Sequence, residues 1–294
     1  MIKLDEILKS IEGSDAEWRQ KACDRLEQLT MPHWALGRVM DLAVDLAGIT
    51  RSMRPQVSPR TIVTMAGDHG VVDEGVSSFP KEVTVQMVHN FVNCGAAINA
   101  LSKQSGTDVK VVDMGIAGDV SGLAEDGSII DCKIQKGTAN MLAGPAMTRE
   151  DAEKSLVSGI DIAKRLSEDY YVLGTGDMGI GNTTPSTAVA AVLTGAQVSE
   201  LTGFGTGIEE DQKNHKVDII EKSLARNQPD AGDAIDVLSK VGGFEIGGIA
   251  GLIIGAASMQ RPVVVDGFIS TAGAMLAKEL CPESADYMIM SHCS

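Results

Sequence analysis

Positive charge is scarce in this sequence: 25 Lys and Arg stand against 40 Asp and Glu in 294 residues, a formal net charge of −15. Such a surface repels nucleic acid and anionic membrane, so neither is expected as a partner, and an anionic ligand has to be met by local basic groups and backbone amides. Cysteine is equally sparse, with five residues at 23, 94, 132, 281 and 293 and neither a C-x-x-C pair nor a metal-ligand spacing. Free thiols in a reducing, cytoplasmic setting and no bound metal are the expectation. The first residues have mixed charge and helical spacing rather than an apolar core with a small-residue cleavage site, so no export signal is read. No apolar run free of polar residues is long enough to span a bilayer, and the most apolar stretch, Ile246 to Met259, suits a buried helix. The signatures G-x-S-x-G, H-E-x-x-H and a Gly-Lys-Ser/Thr after a glycine loop are all missing, which removes the common hydrolase, zinc protease and Walker-type readings. Low-complexity segments and long linkers are also absent.

What the chain does have is glycine, 32 residues of it, and a hydrophobic fraction of 44%. That is enough to bury a large core in one domain with a smaller one appended, or in two domains. Tyr170 to Pro185 is the most informative stretch. A β-prone run, Tyr170 to Leu173, passes into a glycine loop holding Gly174, Thr175, Gly176, Asp177, Gly179 and Gly181; Asn182 or Thr183 then caps a helix with Pro185 in its first turn. Free amides and the helix dipole at such a start attract an anion. The spacing Gly174-x-Gly176-x-x-Gly179 also matches a dinucleotide fingerprint, although there the helix opens within the glycines, whereas here the caps lie later. A ligand-free turn and an NAD(P)-dependent oxidoreductase therefore stand as alternatives. Further glycine segments at Thr202 to Ile208, Val241 to Gly248 and Val265 to Phe268 suggest several loops converging on one small ligand.

Along the chain, residues 1 to about 50 read as helical, a candidate small domain. From about 60, short apolar strands alternate with helices. Strands are predicted at Thr61–Met65, Val109–Asp113, Tyr170–Leu173, Pro262–Asp266 and Ala285–Met290. Helices are predicted at Val83–Leu101, Arg149–Leu166, Pro185–Leu193, Glu209–Ala225, Asp230–Val241 and Gly247–Met259. Apolar runs between helices point to a Rossmann-like, doubly wound, mainly parallel sheet with helices on both faces. The last predicted strand has no helix after it, which looks incomplete for such a fold.

Candidate chemistry gathers at the expected carboxyl edge. Asp68 and His69 follow the first strand, where loop bracing is favoured over direct catalysis. Ser78, Phe79 and Gln86 offer hydroxyl, aromatic and amide groups suited to a flat heteroaromatic ligand, with core packing of Phe79 an equal alternative. Lys216 sits where it can approach the anion. Asp177 beside phosphate-binding amides needs a cation or a sugar hydroxyl to make sense, and Glu245 within an apolar glycine segment also asks for a reason.

The blocks Ala66-Gly67-Asp68-His69-Gly70-Val71-Val72, Glu82-Val83-Thr84-Val85-Gln86-Met87-Val88, Gly176 to Pro185, Gly205-Thr206-Gly207-Ile208 and Val264-Val265-Asp266-Gly267-Phe268, in this order, resemble the nicotinate-nucleotide–dimethylbenzimidazole phosphoribosyltransferase family of the cobalamin lower-ligand pathway. The resemblance covers nearly the whole chain. It implies a large α/β domain (51–294), a small helical domain built from the chain ends (here 1–50), and a homodimer. It further implies transfer of phosphoribosyl from nicotinate mononucleotide to 5,6-dimethylbenzimidazole with inversion at the anomeric carbon, without metal or other cofactor. Residue by residue, Ser78, Phe79 and Gln86 would line the benzimidazole pocket. Gly174, Thr175, Gly176, Gly179, Gly181, Asn182, Thr183 and Thr184, with Gly205, Thr206 and Gly207, would hold the nucleotide. Lys216 and Asp266 would help fix its phosphate, ribose or leaving base. Asp177 stands where the family usually has Glu, one methylene longer. The family's general-base Glu, on a segment like R-L-G-E-G-T-G, has no match, so the family's C-terminal helical part is expected to be missing and no catalytic base is named. A nucleotide-binding module with weak catalysis is the corresponding alternative.

Overall fold

A computed structural model describes residues 4–203 and 210–292. In chain order its elements are α1 (Leu4–Ser10), α2 (Ala16–Glu27), α3 (Arg38–Thr50), β1 (Arg60–Gly67), α4 (Glu82–Val92), α5 (Ala97–Ser105), β2 (Asp108–Gly115), α6 (Ser121–Glu125) and β3 (Ile130–Asp131). They continue with α7 (Arg149–Leu166), β4 (Val172–Met178), α8 (Thr183–Thr194), α9 (Val198–Leu201), α10 (Glu210–Asn227), α11 (Ala234–Val241), α12 (Phe244–Ser258), β5 (Val263–Val265), α13 (Phe268–Leu280) and β6 (Met288–Met290). These strands form one sheet in the order β3-β2-β1-β4-β5-β6, every pairing parallel. This is the doubly wound arrangement, in which the strand order reverses between β1 and β4.

Alternation along the strands separates two layers of core. Val63, Met65, Val112, Met114 and Leu173 pack with α7, α12 and α13, while Ala66 and Val111 point to the other face and meet Val88 and Phe91 of α4. α7 is a well-marked helix: Thr148 caps it by accepting from the Asp151 amide, Glu150 and Asp151 lie in its first turn, and Lys164 and Arg165 in its last. Its partner α12 is apolar on nearly all sides and buried from Phe244 to Ala257, as the sequence suggests for Ile246 to Met259. Glycine lets these two helices touch backbone to backbone. A Cβ on Gly251 would lie 2.0 Å from the Leu156 carbonyl oxygen, and one on Gly159 would lie 2.1 Å from that of Gly248.

Helices α2 and α3 have a small apolar cluster of their own around Ala22, Val44 and Ala47. The turn between α1 and α2 ties them to the late part of the chain: Tyr287 donates its hydroxyl to the Glu12 carbonyl, and the Ser14 amide donates to Asp286.

Several details depart from the sequence reading, among them the strand expected over Ala285–Met290, of which only Met288–Met290 is strand because Pro282–Tyr287 forms a 3-10 helix. The single helix expected over Val83–Leu101 is two helices, because Cys94 takes a positive φ and Asn99 reaches back to accept from the Ala96 amide, starting α5 afresh. Helix α13 is absent from the predicted elements; its glycine and β-branched residues give little local signal, and packing on α12, where Gly273 faces Ile249, supplies the stabilisation. The two-residue β3 is too short to read from sequence. The largest departure is at β4, which extends from Val172 to Met178, paired with β1 from Arg60↔Val172 to Ala66↔Met178. Gly174, Thr175, Gly176 and Asp177 are thus strand residues, not loop residues: ladder hydrogen bonds to neighbouring strands outweigh the turn preference of glycine.

Candidate active site

The reversal between β1 and β4 opens a crevice at the carboxyl edge of the sheet, where a doubly wound fold binds its ligand. From β1 the chain runs into Asp68 and His69. Asp68 braces this turn: its amide donates to the Gly115 carbonyl, its carboxylate accepts from the Ala117 amide at 2.8 Å, and its carbonyl accepts from the Thr138 amide. From β4 the chain makes a short turn in which Gly179 passes directly over Gly67, a Cβ there falling 2.2 Å from the Gly67 oxygen, and Gly181 has φ +81°. The Ile180 amide donates to Thr84 Oγ1 at 3.1 Å, tying this turn to α4.

Asn182 is the N-cap residue of α8, as expected, but its side chain does not cap. Its amide instead donates to Asp177 Oδ2 at 2.8 Å. The next residue, Thr183, accepts a short hydrogen bond from Lys216 Nζ of α10. Asp177, Asn182, Thr183 and Lys216 are therefore brought together at the start of α8. Thr184 is fully buried beside them. Thr175 faces sideways and accepts from the Asp266 amide at 3.1 Å, so it braces β5 against β4. Asp266 follows β5 and accepts from Ser291 Oγ at 2.5 Å, with His292 Nδ1 3.3 Å from the same carboxylate oxygen. Gly205, Thr206 and Gly207 lie outside the described residues.

A groove of about 610 Å³ runs along the open face of β1, β4 and β5 and ends at Asp177 and Asp266. Its walls include Ile62, Leu101, Gly174 and Gly176; the two glycines keep the floor flat. A second hollow, of about 490 Å³, is lined by Asp68, Lys81, Val85, Gln86 and Ala117. Gln86 thus opens onto space beside the crevice. Ser78 and Phe79 sit on the loop before α4 and are not among the residues lining that hollow; Phe79 is 44% exposed, so it is not a core residue.

The electrostatics are unusual for so few residues. Burial pushes the Asp177 carboxyl up to about 6; Glu245 and Asp266 add to the rise, and the Asn182 hydrogen bond and His69 oppose it. Because the residue is only half-buried by surface area, solvent tempers the shift. Lys216 is 1% exposed, and burial pulls its ammonium down to about 8. His69 is also buried; desolvation would lower its pKa, but Glu245 more than compensates and the net direction is upward.

Sequence reasoning missed three participants. Thr84 reads as one more polar residue of a helix, and Ser291 and His292 acquire meaning only once β6 is laid beside β5. The His69–Glu245 contact joins positions 69 and 245 and had a partial signal, since Glu245 interrupts an apolar segment.

Comparison with known proteins agrees with this fold. A family model described as "Phosphoribosyltransferase" matches residues 11–294. The nicotinate-nucleotide–dimethylbenzimidazole phosphoribosyltransferase of Syntrophotalea carbinolica is 56% identical over 96% of this chain and 80% of its own length. The protein of the same name from Desulfotalea psychrophila is 54% identical over 99% of this chain and 82% of its own. The crystal structure of CobT from Thermus thermophilus superposes with a TM-score of 0.89 at 38% identity, covering 94% of this chain and 82% of that one. By sequence and fold alike, the chain belongs to the nicotinate-nucleotide–dimethylbenzimidazole phosphoribosyltransferase family.

Proposed function

We propose that this protein transfers the phosphoribosyl group of nicotinate mononucleotide to 5,6-dimethylbenzimidazole, or a related azole or phenol, giving α-ribazole 5′-phosphate and nicotinate. The observation that carries the reading is Lys216. Its ammonium is buried, points at the first residue of α8, and among the described residues forms no ion pair. A buried cation beside the positive end of a helix dipole is unfavourable until an anion arrives, so the arrangement suits a phosphate. The hydroxyls of Thr183 and Thr184, with the Thr183 amide at the opening of α8, complete that cradle; Gly179 and Gly181 let the backbone come close.

Asp177, beside this cradle, and Asp266 add the opposite sign to the crevice. In nicotinate mononucleotide the pyridine nitrogen is quaternary, and as the glycosidic bond breaks its positive charge moves toward the anomeric carbon. Carboxylates at the edge of the groove stabilise charge of that kind where it develops. The azole nitrogen attacks from the opposite face, forming the new C–N bond as the old one breaks; its proton is lost, nicotinate leaves with the electron pair, and configuration inverts. Gln86 lines the hollow assigned to the acceptor base, with Ser78 and Phe79 at its approach. We assign the protein as a homodimer whose α1–α3 region forms a small helical domain, an assignment checked by light scattering. The oxidoreductase alternative has no support here, since Gly174 and Gly176 are inside β4 and cannot wrap a pyrophosphate.

The test is product identity. With both substrates, chromatography and the anomeric proton coupling should show α-ribazole 5′-phosphate; absence of product with these and with related acceptors would reject the proposal, and binding of NAD or NADP in place of the mononucleotide would favour the oxidoreductase.

A further inference from the structure

Lys216 carries the proposed phosphate site, and burial works against it. An ammonium that forms no ion pair among the described residues is better solvated nearer water, and its flexible side chain lets it move there. What keeps α10 close enough to present it at Thr183 is a pair of polar ties that meet at Glu74.

Glu74 ends a 3-10 helix, Gly70–Glu74, which follows His69 and closes at Gly75 with φ +70°. Val71 and Val76 root this short helix in the core. Its Val72 packs against the Gly181 turn, where a Cβ on Gly181 would fall 2.5 Å from Val72 Cγ2. The Glu74 carbonyl accepts from His215 Nε2 of α10 at 2.6 Å. A carbonyl only accepts, so this ring nitrogen carries the hydrogen. His215 immediately precedes Lys216, and consecutive helical side chains diverge by about 100°. One therefore reaches the 3-10 helix while the next reaches Thr183.

The second tie holds the far end of α10. Glu74 Oε1 accepts from Asn140 Nδ2 at 2.5 Å, and Asn140 Oδ1 accepts from the Leu142 amide at 2.9 Å. Between those two residues, the Met141 carbonyl accepts from Asn227 Nδ2 at 2.7 Å. Asn227 is the last residue of α10 and is buried. Gly70 leaves this circuit no slack, since a Cβ there would be 2.5 Å from the Asn140 amide nitrogen. Both halves of the cradle, the Gly181 turn and α10, are thus registered against one 3-10 helix.

We infer that His215 is a positioning residue for the transfer reaction, supported by Glu74 and Asn140: the tether sets how deeply Lys216 sits over the start of α8. His215 is exposed, so its bond to Glu74 adds little to stability; what it fixes is the depth of the residue beside it. The neutral Nε2–H ring and the imidazolium both donate, so the tether is not a pH switch. That the anion met by Lys216 is the phosphate of nicotinate mononucleotide rests on the proposed transferase reading; the hold on Lys216 does not.

The test pairs a carbon-13 titration of lysine ε-methylene groups in the ligand-free 294-residue protein with calorimetry of nicotinate mononucleotide. Lys216 is assigned from the resonance lost in Lys216→Met. In His215→Ala its midpoint should rise from about 8 by about half a pH unit or more, as the ammonium gains water. Mononucleotide affinity should fall about 3- to 10-fold. In His215→Gln, whose amide N–H can stand in for Nε2–H, both quantities should return toward the parent's. Removing Lys216 first separates positioning from packing: added to Lys216→Met, His215→Ala should change affinity by less than about twofold. An unmoved midpoint in His215→Ala, or the same loss of affinity with and without Lys216, would overturn the inference. If His215→Ala does not fold, Glu74→Ala removes the Asn140 tie while keeping the carbonyl, and the same midpoint decides. Failure of the transferase reading would look different, with a midpoint that moves and no binding of the mononucleotide by the parent.

Discussion

The α7–α12 interface and the β1–β4 crevice both depend on glycine, and for opposite purposes. Between the helices, Gly159, Gly251 and Gly255 let backbone press on backbone, and the side chains around them are apolar. At the crevice, Gly67, Gly179 and Gly243 leave room for charged side chains that a closely packed core would otherwise exclude. The first arrangement serves stability. The second retains an ionic pair and an ammonium that forms no ion pair among the described residues, which stability alone does not explain, and it combines backbone approach with opposed charges, as a ligand site requires.

Substitutions that add volume separate the two regions most sharply. Gly251→Val should destabilise the protein by about 3 kcal/mol or more, since the added side chain meets the Leu156 carbonyl and neither helix can move without opening the core. Differential scanning calorimetry checks this, and a melting temperature indistinguishable from the parent's would break the comparison. Gly243→Ala should instead lower kcat well beyond its effect on the melting temperature, because its Cβ displaces His69 and Glu245 rather than the core.

Titration sharpens the contrast. Lys216 carries a pKa of about 8 in the folded state against an ordinary value of 10.5, so below about 8 its protonation works against folding, and stability should rise as pH climbs from about 8 toward 10.5. Affinity for nicotinate mononucleotide should run the other way, falling above about pH 8 as the cation is lost. Asp177 has its folded pKa raised to about 6, so it should contribute a loss of stability as pH rises from its ordinary value of 3.8 through 6. Asp177→Asn should flatten that part of the curve, measured by urea unfolding across the range; an unchanged slope would assign it to other groups. The smallest effect expected is that of Thr84→Ala, about 1 kcal/mol from one lost bond to the Ile180 amide, read as a modest weakening of nucleotide binding.

How much of this was legible in the sequence follows from the range of the interactions. Helix α7 was readable to the residue, because its cap, its charges and its apolar stripe are all local. The parallel sheet and its carboxyl edge followed from apolar runs alternating with helices. Asn182 and Thr183 could be placed at a helix start from neighbouring residues alone, whereas Lys216, 33 residues on, could be marked only as able to approach an anion. The true extent of β4 was not readable, because the hydrogen bonds that make Gly174 to Asp177 a strand come from β1 and β5. Nor was α13, stabilised by α12 rather than by its own sequence. The pairings His69–Glu245 and Asp266–Ser291 join distant positions, so a carboxylate such as Glu245 could be marked as unusual before its partner was known.

The most direct test of the account is the affinity of nicotinate mononucleotide for the unmodified protein and for Lys216→Met, measured by calorimetry at low and high salt. The account predicts binding weakened by about 10- to 100-fold in the variant, with a larger loss at low salt and no loss of thermal stability, because a buried ammonium that forms no ion pair among the described residues has been removed. Equal affinity in the two proteins would contradict it, placing the phosphate away from the start of α8.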